Sequence, residues 1–132
     1  MQVQPYLFFN NCCQEALEFY RTALGAEITF MMHYKDGPEP LPPGMENKVM
    51  HANFRIGDTM VMASDDCPGK QTGFTGFSLS LTVADEAEAA RSFAALAIGG
   101  EIRMPLAKTF WSPRFGMVAD RFGVLWMINT LS

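Results

Sequence analysis

The chain has 132 residues, of which 48% are hydrophobic and 18% charged, and its formal net charge is −4. That balance fits one globular domain spanning 1–132 and excludes extended disorder. The acidic surplus and the lack of a Lys/Arg cluster exclude a nucleic-acid partner of the usual basic kind.

No apolar run is long enough to span a bilayer, so no membrane partner is expected. The N-terminal MQVQPYLFF lacks a basic flank and a small-residue cleavage site and is not expected to be a signal peptide; the expectation of a cytoplasmic protein rests on cysteine usage. The three cysteines, Cys12, Cys13 and Cys67, are odd in number and two are adjacent, unlike a disulfide framework. The ten methionines read mainly as adaptable core filler.

In chain order, Val3–Phe9 reads as a strand, with Pro5 at its start or at a sheet edge. Asn11 is placed to cap a helix, with Gln14 three residues on. Ala16, Leu17, Tyr20, Ala23 and Leu24 recur at helical spacing before Gly25 stops the helix. Ala26–Tyr34 reads as a strand. Residues 35–47 hold four prolines and two glycines and read as a surface loop. Lys48–Ile56 and Met60–Ser64 flank Gly57-Asp58-Thr59 as a hairpin, and Asp65–Gly73 reads as a linker.

The same order then restarts. Phe77–Val83 alternates apolar and hydroxyl residues, and Asp85 with Glu88 forms a capping box. Ala90, Phe93, Ala94, Leu96 and Ala97 follow at helical spacing, and Gly99-Gly100 ends the helix. EIRM is a short strand broken by Pro105, FGMVA is another, and VLWMIN is the last. The segments FYRTALGAEI and FAALAIGGEI both read Phe, five residues, Gly, a small residue, Glu, Ile. Two βαβββ modules, 1–66 and 74–132, are therefore expected.

The segments PYLFF, EALEFYRTALGAEI, MHANFRIG, FSLSL and TFWSPRFGMVADRFGVLWMIN cover nearly the whole chain. Through them it resembles the vicinal oxygen chelate superfamily of glyoxalase I, extradiol dioxygenases and the fosfomycin and bleomycin resistance proteins. Within it, the chain is most similar to the PhnB-like branch, often labelled 3-demethylubiquinone-9 3-methyltransferase-like. The resemblance implies an α+β fold in which two βαβββ modules form a cupped eight-stranded mixed sheet around a cavity. It also implies a homodimer and a small-molecule ligand. The methyltransferase label has no Gly-rich turn behind it, because Phe9 is followed by NNCC.

Metal-dependent relatives carry their ligands on strands facing the cup. By spacing, the first-strand ligand falls on Pro5, fifteen residues before Tyr20. The fifth-strand ligand falls on Ser78, and the last-strand ligand on Met127, four residues after Gly123. Proline has no donor and a thioether suits Cu(I) rather than hard divalent ions. No metal and no other cofactor is expected on this register.

Strand alternation selects the candidate ligand-binding residues. His51, Asn53 and Arg55 share one face of Lys48–Ile56, and Ser78 and Ser80 one face of Phe77–Val83. The face away from the helices is the cup of the resembled fold, and its floor is expected to include Leu7, Phe9 and Met127. Trp111 is placed as a stacking wall and Arg114 as a cation for an anionic group, while Phe115 and Trp126 read as packing.

Three further groups are weighed. His33 and His51, with Asp120 or Glu46, are the candidates for a relocated metal site, although neither histidine stands in an HxxxH-type motif. Asp120 otherwise reads as a turn residue that bonds backbone amides. Cys12 and Cys13 lie at a helix start, where the dipole lowers a thiol pKa, but no His or Asp partner is near in sequence. Two function classes result. One is a metal-free small-molecule binding protein. The other is an enzyme of lyase, transferase or isomerase type around His51, with Trp111 or Asp120 and the loop 35–47 as a lid; the catalytic residues stay unassigned.

Overall fold

The computed structural model describes residues 1–38, 40–41, 43–66 and 73–131. Cys67, most of the 65–73 linker and two positions of the 35–47 loop lie outside them. The chain divides into two compact units, Met1–Gly73 and Phe74–Ser132.

The first unit runs β1 (Tyr6–Phe9), α1 (Cys13–Leu24), β2 (Glu27–His33), β3 (Val49–Ile56) and β4 (Thr59–Asp65). Its sheet order is β1-β4-β3-β2, with β1 and β4 parallel and the other pairs antiparallel. The parallel pair needs a crossover, and the α1–β2–β3 segment supplies it. On one face Leu7, Phe9, Ala52, Phe54, Val61 and Ala63 are buried. Against them α1 turns Cys13, Ala16, Leu17 and Tyr20, and the Tyr20 ring stacks on Phe54 with centroids 5.8 Å apart. Each such large side chain contributes roughly 1.5–3 kcal/mol by leaving water.

The expected cap at Asn11 is not made. Asn11 has φ 63°, and Cys12 occupies the cap position with no side-chain hydrogen bond. The Asp65 carboxylate takes over from the end of β4: Oδ1 accepts the Cys13 N–H and Oδ2 accepts the Val49 N–H, both at 2.9 Å. At the other end, Gly25 adopts φ 68° and its N–H closes onto Arg21 O, as the sequence predicts.

The second unit repeats the order: β5 (Leu79–Val83), α2 (Glu86–Ala97), β6 (Glu101–Ala107), β7 (Phe115–Ala119) and β8 (Leu125–Thr130). Its sheet, β5-β8-β7-β6, has the connectivity of the first. Asp85 caps α2 by accepting the Glu88 N–H at 2.8 Å. The buried stripe of α2 is Ala89, Ser92, Phe93 and Leu96; Ala90 and Ala94 are exposed, one residue off the expected face.

Pro105 does not end its strand. β6 lies at the sheet edge, where a missing N–H breaks no ladder, and its pairing with β7 shifts register on either side of Met104. Close approach explains two glycines. A Cβ on Gly116 would sit 2.7 Å from Phe93 Cε2, and one on Gly100 would sit 2.2 Å from the Ala119 carbonyl oxygen.

Candidate ligand-binding site

The face of the first sheet opposite α1 holds a connected set of polar and aromatic groups. Alternation places Tyr6 and Phe8 there from β1, and His51 and Asn53 from β3. Register aligns Tyr6 with Met62, Met62 with Asn53 and Asn53 with Phe30, while Met32 stands beside His51. The Tyr6 hydroxyl lies 2.9 Å from His51 Nδ1, and His51 Nε2 lies 2.9 Å from Asn53 Oδ1. A carboxamide oxygen only accepts, so Nε2 carries the imidazole proton. In the neutral ring Nδ1 is then the acceptor, and Tyr6 O–H donates to it.

Aromatic rings frame this relay. Tyr6 is 4.8 Å from Phe8 and 5.5 Å from His51, and Phe30 is 6.1 Å from His51, between ring centroids. Phe8 and Phe30 remain 47% and 46% exposed although they are large and apolar. Thr29 Oγ1 sits 3.8 Å from Met60 Sδ at the margin. Arg55 is spent at the strand end, ion-paired with Glu27, and both side chains are exposed.

Two expectations are corrected by parity. Leu7 and Phe9 are not the floor of this face; they point the other way, into the core beneath α1. Pro5 precedes β1, and the first β1 side chain on the His51 face is Tyr6, one residue later. Counting back from the helix residue Tyr20 lands on Pro5; the strand's own buried alternation, Leu7 and Phe9, is the signal that points to Tyr6.

In the second unit Ser80 pairs with Met127, and Met127 with Met117, on the face opposite α2. Ser78 lies just before β5, outside the strand. Asn129, two residues on from Met127, has a buried Oδ1 with no hydrogen-bond partner among the described residues. Trp111 lies in the turn between β6 and β7 and is 55% exposed.

The other candidates resolve into structural parts. Asp120 Oδ1 accepts the Phe122 and Val124 N–H groups at 2.9 and 3.1 Å, and its Oδ2 accepts the Trp126 indole N–H at 2.9 Å. His33 Nε2 bonds Gln14 Oε1 at 2.8 Å, and its Nδ1 lies 3.8 Å from Asp36 Oδ2. With His51 held by Tyr6 and Asn53, neither histidine has an idle ring nitrogen. No group of three His, Cys, Asp or Glu side chains gathers into a metal site among the described residues.

The thiols run against the reactive reading. Burial, then Asp65, then Cys12 push the Cys13 thiol well above its ordinary value. Burial first, then Asp65, also raises Cys12. Burial of the thiols first, and then the Asp65 carboxylate at the helix start, outweigh the helix N-terminus.

The model of a family described as 3-demethylubiquinone-9 3-methyltransferase matches residues 1–129. The chain belongs to this PhnB-like family. Protein PA1353 from Pseudomonas aeruginosa has a solved structure 46% identical in sequence, covering 98% of this chain and 97% of that one, with TM-score 0.90. The PhnB protein from Bacillus cereus is 30% identical over 98% of this chain and 99% of its own, with TM-score 0.84. The fosfomycin resistance protein FosX from Mesorhizobium loti is 13% identical over 100% and 92%, with TM-score 0.68, a likeness of fold alone. The architecture of this PhnB-like chain is therefore the glyoxalase/bleomycin-resistance-like α+β fold.

The divalent metal of the wider superfamily does not fit the residues present. The faces opposite the helices offer the Tyr6 phenol from β1, the Ser80 hydroxyl from β5 and the Met127 thioether from β8, with no carboxylate among them. The polar groups that do converge in the first unit are a phenol, an imidazole and a carboxamide, each already bonded to another.

Proposed function

We propose that this PhnB-like protein binds a small, largely uncharged aromatic or conjugated molecule on the face of its first sheet opposite α1, with no metal in the site. The observation that supports this reading is the Tyr6–His51–Asn53 hydrogen-bonded chain set among half-exposed Phe8 and Phe30. An apolar surface with a few convergent polar groups is what ligand sites are made of. Arg55 is neutralised by Glu27, so the face offers no spare charge to an ion. Ser80 and Met127 are proposed to line the corresponding face of the second sheet. The homodimer of related proteins is part of the same proposal, supported by exposed Ile102 and Met104 on the edge strand β6.

A second reading, an enzyme at the same place, is favoured by one observation: His51 is bonded through both ring nitrogens, as an acid–base imidazole is. Thermal-shift screening of metabolites, antibiotics and divalent ions separates the two. Stabilisation of roughly 5 °C or more by an organic ligand in chelator, lost in His51→Ala, supports the binding protein. Stabilisation that needs a divalent ion and disappears in His51→Ala supports the enzyme. If neither an organic compound nor a divalent ion shifts the wild type while leaving His51→Ala unmoved, the first-sheet site is wrong.

A further inference from the structure

The turn between β6 and β7 carries features that the first-sheet site does not use. Residues Lys108–Arg114, with Glu86 from the start of α2, line a cleft of about 460 Å³. The turn is built to hold its shape. Thr109 N–H donates to Ser112 O at 2.9 Å, and Ser112 N–H donates to Thr109 Oγ1 at 3.1 Å. The buried Ser112 hydroxyl ties the turn to Arg114 O at 2.7 Å and to Thr130 O at 2.9 Å.

On this fixed turn stand two exposed aromatics. Phe110 is 97% exposed and Trp111 55%. Trp111 is held edge-on by Phe110 at 4.7 Å and Phe115 at 5.4 Å, which sets the direction of its indole plane. Two cations border the same cleft. Arg114 Nε is 3.2 Å from Glu86 Oε1, and its Nη1 donates to Pro113 O at 3.2 Å. Lys108 has no ion pair among the described residues. The cleft sets a fixed aromatic face beside one unpaired ammonium, Lys108, while Arg114 and Glu86 neutralise each other, which matches a planar ring bearing a single anionic group.

We propose that this turn is a second ligand site, taking a flat aromatic or conjugated molecule that bears a carboxylate, with the ring on Trp111 and the anion at Lys108, Arg114 being held by Glu86. Every residue involved belongs to the second unit. Intrinsic fluorescence tests it cleanly. The chain has two tryptophans, and Trp126 is 2% exposed and bonded to Asp120, so a stacking ligand reports through Trp111.

The probe is 2-naphthoate, with 2-naphthalenemethanol as the uncharged control. Saturable quenching is expected, weakened about 10-fold or more for the alcohol and similarly in Lys108→Ala, and restored in Lys108→Arg. Trp111→Phe should abolish the signal, and calorimetry on that variant should show weakened binding. The proposal is overturned if quenching rises linearly with naphthoate as for free tryptophan amide. It is equally overturned if saturable binding ignores both the loss of the charge on the probe and the loss of Lys108.

Discussion

Asp65 holds the start of α1 from 52 residues away, its Oδ1 accepting the Cys13 N–H at 2.9 Å while Oδ2 takes the Val49 N–H. One buried carboxylate thereby joins the helix, β3 and β4 of the first unit. Asp65→Ala strands two buried amide donors and removes the anion facing the helix N-terminus. It should destabilise the protein by about 2–4 kcal/mol, read from the urea midpoint at unchanged slope. Asn11→Ala, at the expected but unmade cap, should cost less than about 0.5 kcal/mol on the same measurement.

Cys13 gives stability a sign that pH can read. Its native thiol is pushed upward by burial, with Asp65 adding to the effect, whereas an unfolded thiol ionises near pH 8.5, an approximate reference value. Below that pH both states hold the proton and the full stability is present. Above it the unfolded chain loses the proton first, so stability falls at up to about 1.4 kcal/mol per pH unit. Between pH 8 and 10 the wild type should lose about 2 kcal/mol more than Cys13→Ala in paired denaturation curves. Native Cys13 should also resist iodoacetamide until urea unfolds the chain.

Two glycines of the second unit are required by contact rather than by a turn. In Gly100→Ala the new methyl meets the Ala119 carbonyl oxygen at 2.2 Å, a backbone atom that cannot step aside. In Gly116→Ala the first obstacle is the Phe93 ring edge at 2.7 Å, with Leu106 Cα behind it at 3.0 Å. Both should destabilise, Gly116→Ala by about 1–3 kcal/mol and Gly100→Ala by more. Equal midpoints for wild type and Gly100→Ala would refute the close packing of β6 against β7.

Asp120 satisfies three donors at once, two of the turn 121–124 and the Trp126 indole. Asp120→Ala should therefore cost about 3 kcal/mol or more and change the Trp126 emission. A catalytic or metal-binding Asp120 would give the opposite pattern, a lost activity with stability kept.

The readable parts of the sequence were those set by local chemistry. Gly25, the Asp85 cap on the Glu88 N–H and the Gly57 hairpin are legible because each closes within a few residues. The Glu88 carboxylate takes the Ala84 N–H rather than that of Asp85 and so leaves the expected box half made. The βαβββ repeat was legible from the FYRTALGAEI and FAALAIGGEI junctions. His51 and Asn53 were legible as a shared strand face. Asp65 was not, because its partners lie 52 and 16 residues away. Pro105 misled because its effect depends on whether the strand is an edge, which pairing decides and local sequence does not. Leu7 and Phe9 face the core and Tyr6 the open face, the reverse of what the spacing predicts, because in a strand one step exchanges core for open face.

The relay of Tyr6, His51 and Asn53 is the centre of the account, and crystals soaked in small-molecule mixtures with chelator present test it most directly. Density for a flat, uncharged compound against Tyr6, His51 and Phe30, with Tyr6→Phe weakening that compound about 10-fold in solution, is the predicted result. Compounds that bind tightly in solution yet leave that face bare in the crystal, and whose affinity is the same in Tyr6→Phe, would contradict it.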